Sequence, residues 1–241
     1  MSSPIGLPVH PYYPLNLEIG GYLANEWKSW DLVSIFVTGC TIIFLASYLL
    51  VMRVQPKIST NDLLTLKWFA LCGCIHLFFE GYYVYNFRHM PGMQDLFGQL
   101  WKEYSLSDSR YLSQDAFVLC MEVVTAVCWG PLSFALAFMI TTQHPLRYPL
   151  QVVVSLGQLY GNVLYYGTCL FDHYIFDVSY SRPEASVFWG YFVFLNAFWI
   201  VIPSLLVYTS LSMGKRAFEA LAKSEESLRQ TDSASKIAKS E

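Results

Sequence analysis

Charged side chains are scarce in this sequence: Asp, Glu, Lys and Arg together supply 14% of its 241 residues, where a soluble domain carries roughly a quarter. A chain so short of charge cannot clothe itself for water, so lipid is the expected solvent for much of it. The basic residues form no dense block interleaved with aromatics, and the net charge is only -3. Both facts argue against nucleic acid as a partner. Cysteine lacks framework spacing. Cys40, Cys72, Cys74, Cys120, Cys128 and Cys169 fall in or beside apolar stretches, and one residue separates Cys72 from Cys74. That pattern excludes a disulfide scaffold and a zinc clip and predicts buried, reduced thiols. There is no phosphate-cradling glycine loop, dinucleotide fingerprint or internal repeat, so nucleotide-driven pumping and dinucleotide redox chemistry lose support. The amino end carries Pro4, Pro8, Pro11 and Pro14 and lacks a basic start with an apolar core. No cleavable signal peptide is expected, and the first membrane helix directs insertion.

What the chain has is apolar length. With 54% apolar residues and a positive mean hydropathy, it holds five stretches near 30–52, 63–86, 116–140, 148–170 and 187–210. Each is long enough to cross a hydrocarbon core of about 30 Å as a helix of roughly 20 residues. The predicted fold class is all-α: a polytopic five-helix transmembrane bundle with an intramembrane cavity. Lys and Arg concentrate on the side that holds Arg53, Lys57, Lys67, Arg147 and the tail, including Lys236 and Lys239. The positive-inside tendency then makes 1–29 a non-cytosolic amino-terminal segment, 30–212 the membrane domain and 213–241 a cytosolic tail. That tail reads as a solvated helix that frays into disorder. The one long loop, Phe87 to Asp115, carries Trp101, Tyr104 and Tyr111, which predicts a structured lid against the membrane.

Ionisable residues inside the spans stand out, because each costs on the order of 2.5 to 3.5 kcal/mol at mid-bilayer and so calls for a reason. His76 and Glu80 lie four apart on one face of the second helix, Glu122 and Thr125 three apart on the third, and Asn196 and Trp199 three apart on the fifth. Counted from the non-cytosolic ends at 1.5 Å per residue, Glu80 and Glu122 lie about 9 Å deep, Thr125 and Asn196 about 14 Å, His76 about 15 Å and Trp199 about 18 Å. Six unusual residues on three helices share one layer. Taken singly, a membrane histidine or asparagine is as often an interhelical hydrogen-bond partner, and a tryptophan is usually a packing or interfacial aromatic. Two glutamates and a histidine at one depth point instead to a working site. Such a set holds a proton donor and acceptor side by side, and Trp199 offers a π face that would stabilise a positive charge by about 2 kcal/mol. This suits proton-in, proton-out chemistry through a carbocation, with Thr125 and Asn196 expected to orient the carboxyls. Gly157 and Gly161 read as a small-xxx-small packing pair, flanked by Gln158 and Asn162 as packing amides first and site lining second. Pro131 and Pro203 are expected to bend their helices and help open a cavity.

The blocks HPYYP (10–14), CGCIHLFFEG (72–81), LWKEYSLSDSRY (100–111), CMEVVTAVCWGPL (120–132), QHPLRY (143–148), GQLYGNVLY (157–165) and YFVFLNAFW (191–199), taken in order, resemble the emopamil-binding protein family. The resemblance runs from near the amino terminus to the fifth helix and departs at 171–186 and in the tail. It implies a five-helix endoplasmic-reticulum enzyme that shifts a sterol ring double bond from C8 to C7 with no cofactor and no metal. His76, Glu80 and Glu122 carry over as the catalytic set. Thr125, Asn196, Trp199 and, in the lid, Tyr111 carry over as substrate-binding positions. Its partners would be the sterol substrate, lipophilic cationic amines as inhibitors and membrane lipid, with homodimer formation left open. Two rival readings use the same residues: a non-catalytic sterol- or amine-binding member of that superfamily, and a proton-coupled transporter, which five helices without a repeat support less.

Overall fold

The computed structural model describes residues 10–238, with side chains to residue 231. Pro4 and Pro8 at one end, and Lys239 with the Lys236 side chain at the other, lie outside the described residues. Among the described residues the chain is all-helical, with no strand. α1 runs over Ser29–Val54, α2 over Thr60–Asn86 and α3, within the lid, over Leu96–Tyr104. α4 spans Ala116–Thr141 and α5 Arg147–Phe176, while α6 opens as a wide turn at Ser186–Leu195 and continues over Asn196–Ala238.

Local chemistry sets the helix starts. Ser59 caps α2 by accepting from the Asp62 amide, Asp95 caps α3 by accepting from Phe97 and Gly98, and Asp115 caps α4 by accepting from Val118. Each side-chain oxygen satisfies an amide with no partner inside its helix. α5 stops at Asp177, whose left-handed backbone (φ 55°) turns the chain away. Pro131 sits at the start of an ordinary helical stretch that resumes after a wide turn at Thr125–Trp129, where its missing N–H is tolerated.

α1, α2, α4 and α6 are long and apolar enough to cross a membrane. α5 is also long, 30 residues, but more polar. Its buried side is the stripe Gln151, Ser155, Gln158, Asn162, Tyr165 and Cys169, spaced three and four apart. Val153, Leu156, Tyr160 and Val163 point outward. The helix therefore inverts the soluble pattern, polar inward and apolar outward.

Among the described residues, two apolar clusters form the core. One lies under the lid around Tyr83, Met90, Trp101, Tyr111 and Tyr165. The other joins Leu66, Trp68, Phe69, Leu136, Ile140 and Val154 at the opposite end. The lid is structured, but its aromatics turn into the protein: Trp101 and Tyr111 are buried, and Trp101 stacks on Phe79. The amino-terminal segment straps over it. Tyr12 donates to the Lys102 carbonyl at 3.1 Å, Asn25 to that of Gln99 at 2.9 Å, and the Leu23 amide to Pro91 at 3.0 Å. Two buried charges lock this layer. Arg110 grips the Asp108 carboxylate with Nε and Nη2, and Lys102 donates to Leu23 O at 2.7 Å and Gln94 Oε1 at 2.8 Å.

Two expectations are corrected by the structure. Cys120 and Cys128 are exposed on the outer surface of α4, leaving Cys72 and Cys169 as the fully buried thiols. The tail is an exposed helix across the described residues, as its solvated composition predicts. Gly157 packs closely, since a Cβ there would sit 2.4 Å from the Trp129 ring, but one on Gly161 would meet nothing within 4 Å. The glycine pair thus does not act as a unit.

Candidate active site

Among the described residues, three helices carry a π-type turn, in which hydrogen bonds reach one residue further than in an α-helix and the coil widens. They fall at Ile75–Glu80 in α2, Thr125–Trp129 in α4 and Ser186–Leu195 in α6. His76 and Glu80 lie inside the first. Glu122 lies one turn before the second, Thr125 opens it, and Asn196 and Trp199 follow the third. The turns of α2 and α4 pack directly together. Gly130 permits this, because a Cβ on it would lie 2.9 Å from the Leu77 amide nitrogen.

That contact assembles the cluster. His76, 1% exposed, places Nδ1 2.8 Å from Glu80 Oε2 and Nε2 2.9 Å from Gln158 Nε2. The Gln158 amide donates to Nε2, so the imidazole proton sits on Nδ1 and is donated to Glu80. Glu80 and Glu122 face each other carboxyl to carboxyl. Hydrogen bonding between them needs one proton on the pair. Glu122, buried, accepts from the Tyr111 hydroxyl at 2.6 Å. Burial and then the neighbouring Glu122 push the Tyr111 phenol well above its usual range, so it stays the donor. One continuous chain runs Gln158, His76, Glu80, Glu122, Tyr111. The Trp199 ring lies 6.2 Å from the imidazole and 5.4 Å from Trp68. Its buried Nε1 has no hydrogen-bond partner among the described residues.

Thr125 and Asn196 do not orient the carboxyls. Thr125 donates to its own helix at Met121 O, 2.7 Å, the commonest use of a threonine hydroxyl inside a helix. Asn196 donates to Tyr104 Oη at 3.0 Å and Phe192 O at 2.8 Å, and its carbonyl accepts from Asn162 at 2.7 Å. It supports the lid instead, since the Tyr104 ring packs 5.4 Å from that of Tyr111. The residues that sequence reasoning ranked too low are Gln158, which touches the imidazole, and Tyr104. Gln158 carried a signal, as an amide at buried helical spacing, but nothing local says which group it meets.

Pockets of about 380 and 430 Å³ open on the lid side; the first lies under the amino-terminal strap, the second between the lid, α4 and α5. Neither is lined by His76, Glu80 or Glu122.

A helical membrane protein whose interior joins two carboxyls, an imidazole and a phenol defines a class with a buried, proton-bearing polar cluster among apolar helices. Residues 96–210 match the sequence model of EBP, described as EXPERA (EXPanded EBP superfamily). The chain belongs to this superfamily, as its relatives also require. It is 38% identical to the 3-beta-hydroxysteroid-Delta(8),Delta(7)-isomerase of Cavia porcellus over 89% of this chain and 93% of that protein. The proteins of the same name from Rattus norvegicus and Mus musculus are 39% and 42% identical, each over 85% of this chain and 88% of the relative.

Proposed function

We propose that this protein is a sterol isomerase that moves a ring double bond from C8 to C7 inside the bilayer. The observation that carries this reading is the contact of Glu80, Glu122 and His76 in one buried chain of hydrogen bonds. Catalysis of this kind needs an acid and a base that exchange roles without water. The carboxyl pair delivers its proton to C9 of the Δ8 olefin. The π electrons form the C9–H bond and leave a tertiary cation at C8. A base of the same cluster then takes a proton from C7, and the C7–H electrons close the C7=C8 bond. One proton enters and one leaves, so the cluster ends each turnover as it began, and the reaction requires no cofactor.

Trp199 supports the cation with its π face, worth about 2 kcal/mol when desolvated. A lipophilic ammonium would imitate the same charge, so cationic amines are expected inhibitors. Tyr111 and Gln158 hold the two ends of the chain, with Asn196 and Thr125 contributing to the walls around the sterol. The inside-out pattern of α5 supports five crossings, with the polar layer enclosed in an intramembrane cavity. The excess of Lys and Arg on the tail side supports a cytosolic 213–241 and a non-cytosolic 1–29 flanking the membrane domain 30–212. The resemblance of the motifs supports the endoplasmic-reticulum membrane as location.

Purified protein incubated with a Δ8 sterol, and read by mass spectrometry against a Δ7 standard, tests the activity directly. In D2O the product should carry one deuterium at C9. Glu80→Gln and Glu122→Gln should each insert normally and abolish turnover. Wild-type rates from either variant would remove that glutamate from the mechanism.

A further inference from the structure

α4 and α5 touch at one level and part at another. Trp129 meets Gly157 at the close approach. One turn nearer the lid, Gly161 faces open space, as does Gly167 two turns further on, with nothing within 4 Å of a Cβ at either. On α5 the residues Gly157, Gly161, Leu164, Thr168 and Asp172 recur three or four apart, so one face runs from the contact into the gap. The gap ends in the pocket of about 430 Å³, lined on the α4 side by Asp115 and Phe117 and on the α5 side by Leu164, Thr168 and Asp172, with Arg110 above.

This space is polar at one end and apolar along its length. At the mouth, Thr168 accepts from Arg110 Nη1 at 2.8 Å and Asp172 from the Tyr180 hydroxyl at 3.0 Å, and Asp115 caps α4. Below it the walls are Phe117 and Leu164. The charge of Arg110 is already taken by Asp108. Two further carboxylates, Asp115 and Asp172, would repel a phosphate or a fatty acid, so an anionic lipid does not fit. A lipid with one neutral hydroxyl and a rigid apolar body does. Glu122 lies seven residues into α4 from Asp115, about 10 Å along the helix. Tyr165, next to Leu164 on the buried side of α5, has its ring 6.4 Å from that of Tyr111, the partner of Glu122.

We propose that the gap between α4 and α5 is the lateral portal through which a 3β-hydroxysteroid passes from the bilayer toward Glu122. Its hydroxyl is held at Asp115, Thr168 and Asp172, and its rings lie along Phe117 and Leu164. The assignment rests on the isomerase reading for its destination but not for its chemistry of binding.

The test fills the gap. Gly161→Trp and Gly167→Trp each place a ring in open space, and Gly39→Trp on α1, where a Cβ also meets nothing within 4 Å, is the control. With a Δ8 sterol supplied in phosphatidylcholine vesicles, kcat/KM should fall about tenfold or more in the two gap variants and stay at the wild-type value in the control. In parallel, a diazirine-bearing 3β-hydroxysteroid should label wild-type protein within 117–121 and 164–172, and Gly161→Trp should remove that labelling. Folded gap variants with wild-type kcat/KM overturn the portal, and so does labelling confined to other helices. If the wild type turns over no Δ8 sterol, the isomerase reading fails alone. The labelling of wild-type protein then still decides the portal, and it does so as well if the Trp variants do not fold.

Discussion

At the scale of single residues, the site depends on which atom of His76 holds the proton. Gln158 donates to Nε2, leaving Nδ1–H for Glu80. The other atom of that amide, Oε1, is buried and has no hydrogen-bond partner among the described residues. Replacing Gln158 by Leu therefore removes one hydrogen bond worth about 1 kcal/mol and also one unsatisfied carbonyl, two effects that oppose each other. The thermal midpoint should change little. Turnover should fall about tenfold, and the pH profile of kcat/KM should shift, because the imidazole is no longer held in one tautomer. An unchanged pH profile would reduce Gln158 to a packing residue. His76, Glu80 and Glu122 stood out in the sequence as ionisable residues within apolar stretches, and the structure brings the three together. Gln158 did not stand out, since the same amide at the same spacing would pack equally well against any carbonyl, and the partner it meets lies 82 residues away.

At the scale of helices, the wide turns do what regular helices could not. Two α-helices crossing with full side chains stay 8 to 10 Å apart. Gly130 and the widened backbone let α4 come against the very turn that carries His76. Gly130→Ala would put a Cβ 2.9 Å from the Leu77 nitrogen and 3.2 Å from its Cα, atoms that cannot rotate aside. A loss of about 1 to 3 kcal/mol in stability is expected, with reduced activity from displacement of His76. Gly73→Ala is the instructive comparison, since its Cβ would meet the Phe134 ring at 2.8 Å and a side chain has more freedom to yield. If denaturant unfolding gives the Gly130 variant the smaller loss, the turn contact is not what holds the site. The apolar stretches of the sequence coincide with α1, α2, α4 and α6, the four helices long and apolar enough to cross a membrane, but they carried no mark of the π turns. Pro131, the residue that signalled a local break, sits just after one and not at its centre.

At the scale of the molecule, strap, lid and bundle act as layers, and Lys102 ties the first two together. Loss of hydration pushes its ammonium down to about 8 from an ordinary 10.5, against the opposing pull of Glu26 and Asp95. Below about pH 8 the lysine is charged in both folded and unfolded chains, and the burial penalty is fully present. Between about 8 and 10.5 the folded protein sheds the proton first, so the unfolded state binds more protons and stability rises with pH. The wild type should gain thermal midpoint across that window relative to Lys102→Met, and parallel curves for the two proteins would contradict the assignment. The amino acid sequence alone determined that the chain is helical with segments apolar enough for lipid, and that two carboxyls and an imidazole fall inside such segments, because hydropathy is a property of each segment by itself. Only the tertiary structure decided that Gly157 closes a contact while Gly161 meets nothing, that Thr125 serves its own backbone, and that Gln158 meets the His76 imidazole. Those outcomes depend on how helices cross, and the fit between surfaces far apart in the chain is not written in the period of either one.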